Sequence, residues 1–210
     1  VHLALPGKSG TERVAPGDFT GLWQGVATGD FDNDGRPDLI LANWGRNVRD
    51  ARHLASPLQL HYADGDGDGA LDLIESHVDA DTGRRVPVRD WKTLSSVFPT
   101  LRDRFTNYTA FASASLDAVM SAGLPPLQSV TARYLDSMLL LNRGDHWEAH
   151  PLPAEAQFSP VFGIAVGDLD GDGNEDLFLA QNFFGVSSIE SRHDAGSGLW
   201  LRGDGHGGFR

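Results

Sequence analysis

One pattern constrains this chain more than any other: D-x-D-x-D-G-x-x-D, written three times. It comprises Asp30, Asp32, Asp34, Gly35 and Asp38; then Asp64, Asp66, Asp68, Gly69 and Asp72; then Asp168, Asp170, Asp172, Gly173 and Asp176. Four carboxylates within nine residues repel one another unless a cation lies between them. Calcium suits such a loop because it takes six to eight oxygens at flexible geometry. Positions 1, 3, 5 and 9 would supply carboxylates, and position 7 (Arg36, Ala70 or Asn174) its backbone carbonyl. The glycine at position 6 permits a sharp turn of positive φ. Three Ca²⁺ sites are therefore expected.

The same spacing opens an EF-hand, which also needs an acidic residue at position 12 and a helix on each side. Glu75 meets the first condition in the second loop, whereas Leu41 and Leu179 occupy that place in the others. The flanks are short apolar runs: GVATGD before and DLILAN after the first loop, GIAVGD and DLFLAQ around the third. Such runs are the mark of buried strands. The unit is thus strand, calcium loop, strand, and the EF-hand is rejected.

On these residues the chain resembles FG-GAP or VCBS repeats, the calcium-bearing blades of integrin-α-type β-propellers. The stretches GLWQGVATGDFDNDGRPDLILANWGRN and AQFSPVFGIAVGDLDGDGNEDLFLAQN are most similar to bacterial VCBS propellers associated with ASPIC/UnbV domains. The resemblance implies an all-β fold, a β-propeller spanning residues 1–210. It also implies a role in cell-surface interaction or glycan handling.

A propeller closes with four to eight blades of roughly 40 to 50 residues each. A chain of 210 residues supplies about three to four of them. It begins without Met and stops at GHGGFR, and is read as a fragment of a longer propeller. Residues 1–20 read as the tail of a preceding blade. The second loop follows the first too closely for a full blade between them. It lies either in the outer hairpin of the first blade or, the first blade being abbreviated, in a blade of its own, and the hairpin is favoured.

Between residues 90 and 124 the character changes to helical spacing, with Leu101, Phe105, Tyr108 and Ala112 on one stripe and Leu116, Val119 and Met120 on another. Asp90 and Thr100 are the expected N-caps, and Gly123 the C-terminal stop. This is read as a helical insertion packed through its apolar side on the propeller, with Phe105, Tyr108 and Phe111 in packing rather than a ligand clamp. Asn107-Tyr108-Thr109 is a glycosylation sequon. SMLLLN, RGDH and WEAHPLP read as a hairpin, with Met138 to Leu141 the inner strand.

The formal net charge is −12, and twelve of the 29 acidic residues are the loop aspartates. The acidity is largely ligand inventory, and it argues against nucleic acid, which requires a basic stripe. With no cysteine, disulfides and thiolate–metal chemistry are excluded. No leader or membrane span is visible in these residues, and a preceding segment would be the place for a leader.

No G-x-S-x-G elbow, H-E-x-x-H helix or phosphate-binding glycine loop occurs. The eight histidines are scattered, and His193 beside Asp194 reads as a surface hydrogen-bonding residue. Arg84, Arg85 and Arg89 read as a solvated cluster, and Asn43 and Trp44 as a turn beside a packed aromatic. The two Arg-Gly-Asp tripeptides (143–145 and 202–204) fall at ordinary hairpin turns, so they are not read as adhesion motifs. No catalytic residue is assigned. The favoured function is a non-enzymatic, calcium-binding scaffold of an extracellular, cell-surface or periplasmic protein, with a protein or glycan partner. The alternative is part of a calcium-dependent carbohydrate-active enzyme such as a polysaccharide lyase.

Overall fold

The computed structural model describes residues 2–7, 10–47, 58–64, 68–120, 128–186 and 191–210. In chain order the first strands are β1 (Leu3–Gly7), β2 (Gly10–Val14), β3 (Gly25–Gly29) and β4 (Asp38–Ala42). Next come β5 (Leu58–Ala63), β6 (Asp72–Val78) and β7 (Arg85–Pro87), then four short helices. These are α1 (Trp91–Val97), α2 (Thr100–Arg104), α3 (Tyr108–Ala112) and α4 (Leu116–Met120). Strands β8 (Gln128–Ala132), β9 (Met138–Asn142), β10 (Trp147–Pro151), β11 (Val161–Gly167), β12 (Asp176–Gln181) and β13 (Leu199–Leu201) complete the chain. The fold is all-β, with three sheets and few helical turns among the described residues.

The chain divides into two compact units, Val1–Arg52 with Arg133–Arg210, and His53–Ala132. The first unit holds a six-stranded sheet ordered β2-β1-β10-β9-β4-β3 and a three-stranded sheet ordered β11-β12-β13. Alternation along β4 and β9 sends side chains to two separate cores. Ile40, Ala42, Leu139 and Leu141 pack with Leu177, Leu179 and Leu201 of the smaller sheet, whereas Met138 and Leu140 pack with Leu3, Leu5 and Val14. The run MLLLN is apolar throughout because both of its faces are covered, as expected for a buried strand. Each such leucine contributes about 1.5–3 kcal/mol by leaving water. Sheets stacked face to face in this way are propeller-like, and no closed ring is present among the described residues.

Two expectations change here. The N-terminal hairpin β1–β2 is not the tail of a separate blade: β1 adds parallel to β10 and widens the same sheet. The outer hairpin of the first blade is β9–β10, so the second aspartate loop does not lie in it. That loop joins β5 to β6 in a four-stranded sheet of its own, ordered β7-β6-β5-β8.

That sheet and the four helices form the second unit. The helical stretch expected at 90–124 is real over Trp91–Met120, but it sits inside the second unit, between β7 and β8. Its apolar side chains, Leu94, Phe98, Leu101, Phe105, Phe111, Leu116 and Val119, gather on Ile74 of β6, the neighbouring sheet of the same unit. Asp90 caps α1 by accepting from the Thr93 N–H at 2.9 Å. Thr100 is the first residue of α2 and does not cap it; Pro99 holds the cap position without a side-chain bond. Phe105 and Phe111 meet edge to face at 5.4 Å, while Tyr108 leans on Trp91. Gly123 lies outside the described residues. Among the described residues no helix is long and apolar enough to cross a membrane.

Candidate metal centres

All three aspartate loops close the same hairpin frame. In each, the residue before position 1 pairs across the ladder with position 9: Gly29 with Asp38, Ala63 with Asp72, and Gly167 with Asp176. The position-6 glycines have φ of 81°, 87° and 88°, a left-handed conformation that side chains other than Gly adopt only under strain.

The first carboxylate organises each turn from within. Asp30 accepts from the N–H groups of Asp34 and Gly35, Asp64 from that of Gly69, and Asp168 from those of Asp172 and Gly173. Position 5 accepts from position 7 in every case: Asp34 from Arg36, Asp68 from Ala70 and Asp172 from Asn174, at 2.9, 2.7 and 2.9 Å. Three separate segments thus turn through one shared hydrogen-bond pattern, with the short polar side chain folding the backbone back on itself.

In the first loop, carboxylate oxygens of Asp30, Asp32 and Asp38 lie within 4.8 Å of one another. The Asp32 side chain is only 9% exposed, and its Oδ1 is buried with no hydrogen-bond partner. Asp38 is fully buried. It accepts from the Phe31 N–H through Oδ2 and from the Asn142 N–H through Oδ1. Burial pushes its pKa above the ordinary carboxylate value; the two N–H donors pull the other way, and Asp32 and Asp34 add to the rise. Asp34 stands outside the cluster, bound to the Arg36 guanidinium.

In the third loop the clustered oxygens belong to Asp168, Asp170 and Asp172. Asp176 is buried and committed to protein donors, the N–H groups of Leu169 and Gly203 and the indole of Trp200. In the second loop Asp64, Asp68 and Asp72 are placed, while Asp66 lies outside the described residues.

The first and third loops touch directly. Glu175 accepts from the Asp30 N–H at 2.6 Å, and Asn33 donates to the Asn174 side chain at 3.0 Å. Two arginines lie across them: Arg143 pairs with Asp32 and Glu148, and Arg202 with Asp170 and Asp172. Glu175, Arg143 and Arg202 were not singled out as loop partners by sequence. The arginines open the two Arg-Gly-Asp tripeptides, whose adjacency to a loop could have signalled the role only if strand pairing were known.

The donor set fits calcium. It is built of hard oxygens, it converges, and in the first loop it leaves a buried anionic oxygen that only a cation or a donor could satisfy.

Other candidates are accounted for by packing. Asn43 is buried and bonds Ser137, Tyr134 and the Trp44 N–H; Trp44 packs edge-on to Phe183 and His193. Glu75, the formal EF-hand residue, pairs with Arg89 at 2.7 Å. Arg85 reaches Ser76.

A family model described as FG-GAP repeat matches residues 22–47, the stretch that carries β3, the first loop and β4. No curated protein and no solved structure matches the chain.

Proposed function

We propose that the chain is a calcium-dependent β-propeller-type scaffold that presents a protein- or glycan-binding surface rather than an active site. The FG-GAP match supports the scaffold. The observation that carries the calcium reading is Asp32, whose buried, unpartnered Oδ1 belongs to a side chain clustered with Asp30 and Asp38.

A bound ion would supply positive charge where the loop concentrates negative charge. Asp30, Asp32 and Asp38 would hold it in the first loop, Asp168, Asp170 and Asp172 in the third, and Asp64, Asp68 and Asp72 in the second. The carbonyls of Arg36, Ala70 and Asn174 complete the proposed ligand set. Asp38 already joins the start of its loop to β9, so neutralising the cluster would stiffen both. Extracellular calcium modules work near about 10⁻⁴–10⁻³ M, and an affinity in that range would support a location outside the cytosol.

The test is thermal unfolding of the chain in EDTA and across a Ca²⁺ titration. Coupling of binding to folding predicts a saturable rise in melting temperature, with about three ions bound per chain by calorimetry. An unchanged melting temperature up to millimolar Ca²⁺ would remove the calcium reading and with it the argument for the compartment.

A further inference from the structure

We infer that Arg143 and Arg202 are resident counter-cations of the first and third loops, competing with a divalent ion for the same carboxylates and so setting the calcium concentration at which each loop fills. This inference rests on the calcium reading above.

The two guanidinium groups face the same two loop positions, though not equally closely. Arg202 reaches Asp170 Oδ2 through Nε at 2.6 Å and Asp172 Oδ2 through Nη2 at 2.7 Å, positions 3 and 5 of the third loop. Arg143 pairs through Nη1 with Asp32 and lies 3.9 Å from Asp34, positions 3 and 5 of the first loop. The chain reaches this arrangement from two different registers. Loop position 10 pairs with Leu140 in one ladder and with Leu201 in the other. Arg143 therefore follows its reference residue by three places and Arg202 by one. A shared turn geometry would have used the same place twice; what recurs is a positive charge against positions 3 and 5.

The carboxylates in question are those that would coordinate an ion. Asp32, Asp170 and Asp172 each belong to a converging cluster. A cation entering the third loop must share or displace one charge-assisted hydrogen bond, from Arg202 Nη2 to Asp172, and the close ion pair of its Nε with Asp170. In the first loop Arg143 has a further anchor, its Nε on Glu148 at 2.9 Å, so it can release Asp32 and remain held. The third loop should therefore pay more for loading.

This use gives the arginine of each Arg-Gly-Asp tripeptide a role inside the fold. Each arginine is bound to a loop, Asp145 faces His146, and Asp204 accepts from the N–H groups of His206 and Gly208.

The experiment compares wild-type chain with Arg202→Gln and Arg202→Lys, all stripped with EDTA. It measures Ca²⁺ affinity by calorimetry and melting temperature without calcium. Arg202→Gln should tighten one site by about three- to tenfold, the discounted worth of a partly exposed charge pair, and lower the melting temperature in EDTA. Arg202→Lys, which cannot make the paired contact, should tighten the same site by less, and it serves if the Gln variant does not fold. Calcium binding by wild type with equal or weaker affinity in both variants would overturn the competition while leaving the calcium reading intact. No calcium binding by any of the three proteins would overturn both.

Discussion

The first and third loops share a sequence pattern and a hairpin frame, yet they differ in where their charge is stored. Asp32 keeps 9% of its side-chain surface and Asp38 none, so the first loop sets its cluster into the interior. Asp170 and Asp172 keep 20% and 25%, and the third loop holds its cluster at the surface under Arg202. Position 9 does not follow this division. Asp38 and Asp176 are both fully buried, and each accepts from the N–H of loop position 2 and from an N–H at the end of the next strand in the sheet, Asn142 closing β9 or Gly203 just after β13. The comparison separates two features of one motif: the ninth aspartate braces the blade in both loops, whereas the other clustered carboxylates are set inward in the first loop and lie at the surface in the third.

The most severe way to break this separation is to remove the brace. Asp38→Ala or Asp176→Ala should cost about 2–4 kcal/mol, since each strands one buried and one half-buried N–H group. The cost should appear in EDTA as well as in calcium, measured by urea unfolding. Full stability of both variants in EDTA would return position 9 to a ligand role alone.

Smaller effects should distinguish the two clusters. Asp32→Asn in EDTA should gain about 1 kcal/mol, because it removes a buried anionic oxygen without a partner. Asp170→Asn should change stability by no more than about 0.5 kcal/mol, as open surface positions do. In calcium, Asp32→Asn should lose most of the first loop's stabilisation. Equal behaviour of the two variants in EDTA would show that burial is not what divides the loops.

The weakest effect extends the comparison to the second unit. His61 lies on β5, which leads into the second loop, and it bonds Ser76 at 2.8 Å. Burial, with Arg85 adding to it, lowers its pKa below the ordinary value of 6.5. The unfolded chain then takes up the proton more readily. Stability from this group is present above about pH 6.5 and is lost as pH falls through the lower folded value. The unfolding midpoint should drop between pH 7 and 5, and His61→Gln should flatten that slope. An identical slope in the variant would assign it to another group.

Much of this was legible in the residues. Gly35, Gly69 and Gly173 announced their turns, and the runs at Leu39–Leu41 and Met138–Leu141 announced strands covered on both faces. Asp90 announced its helix. These signals are local: a backbone conformation, a period, a cap. What could not be read was pairing between distant segments. Nothing in β4 says that its neighbour is β9 and not β5, because a ladder is made of backbone groups that every residue carries. The same blindness hid Glu175 against Asp30 and gave Arg143 and Arg202 the look of a receptor tripeptide. Thr100 failed as a cap because Pro99 had already taken helical φ and ψ, drawing the helix start back by one residue.

The neighbours β4 and β9 stand next to each other in the ladder with the whole second unit strung between them. During folding, Leu39 must find Leu140 across that intervening chain, and such a closure is slow because its entropy is spent before any contact rewards it. The second unit has its own sheet, its own helices and a separate core on Ile74. If it collapses first, the long tether shortens to a compact body with both ends on hand. On that route the hairpin of the second loop forms before the ladder between β4 and β9 closes.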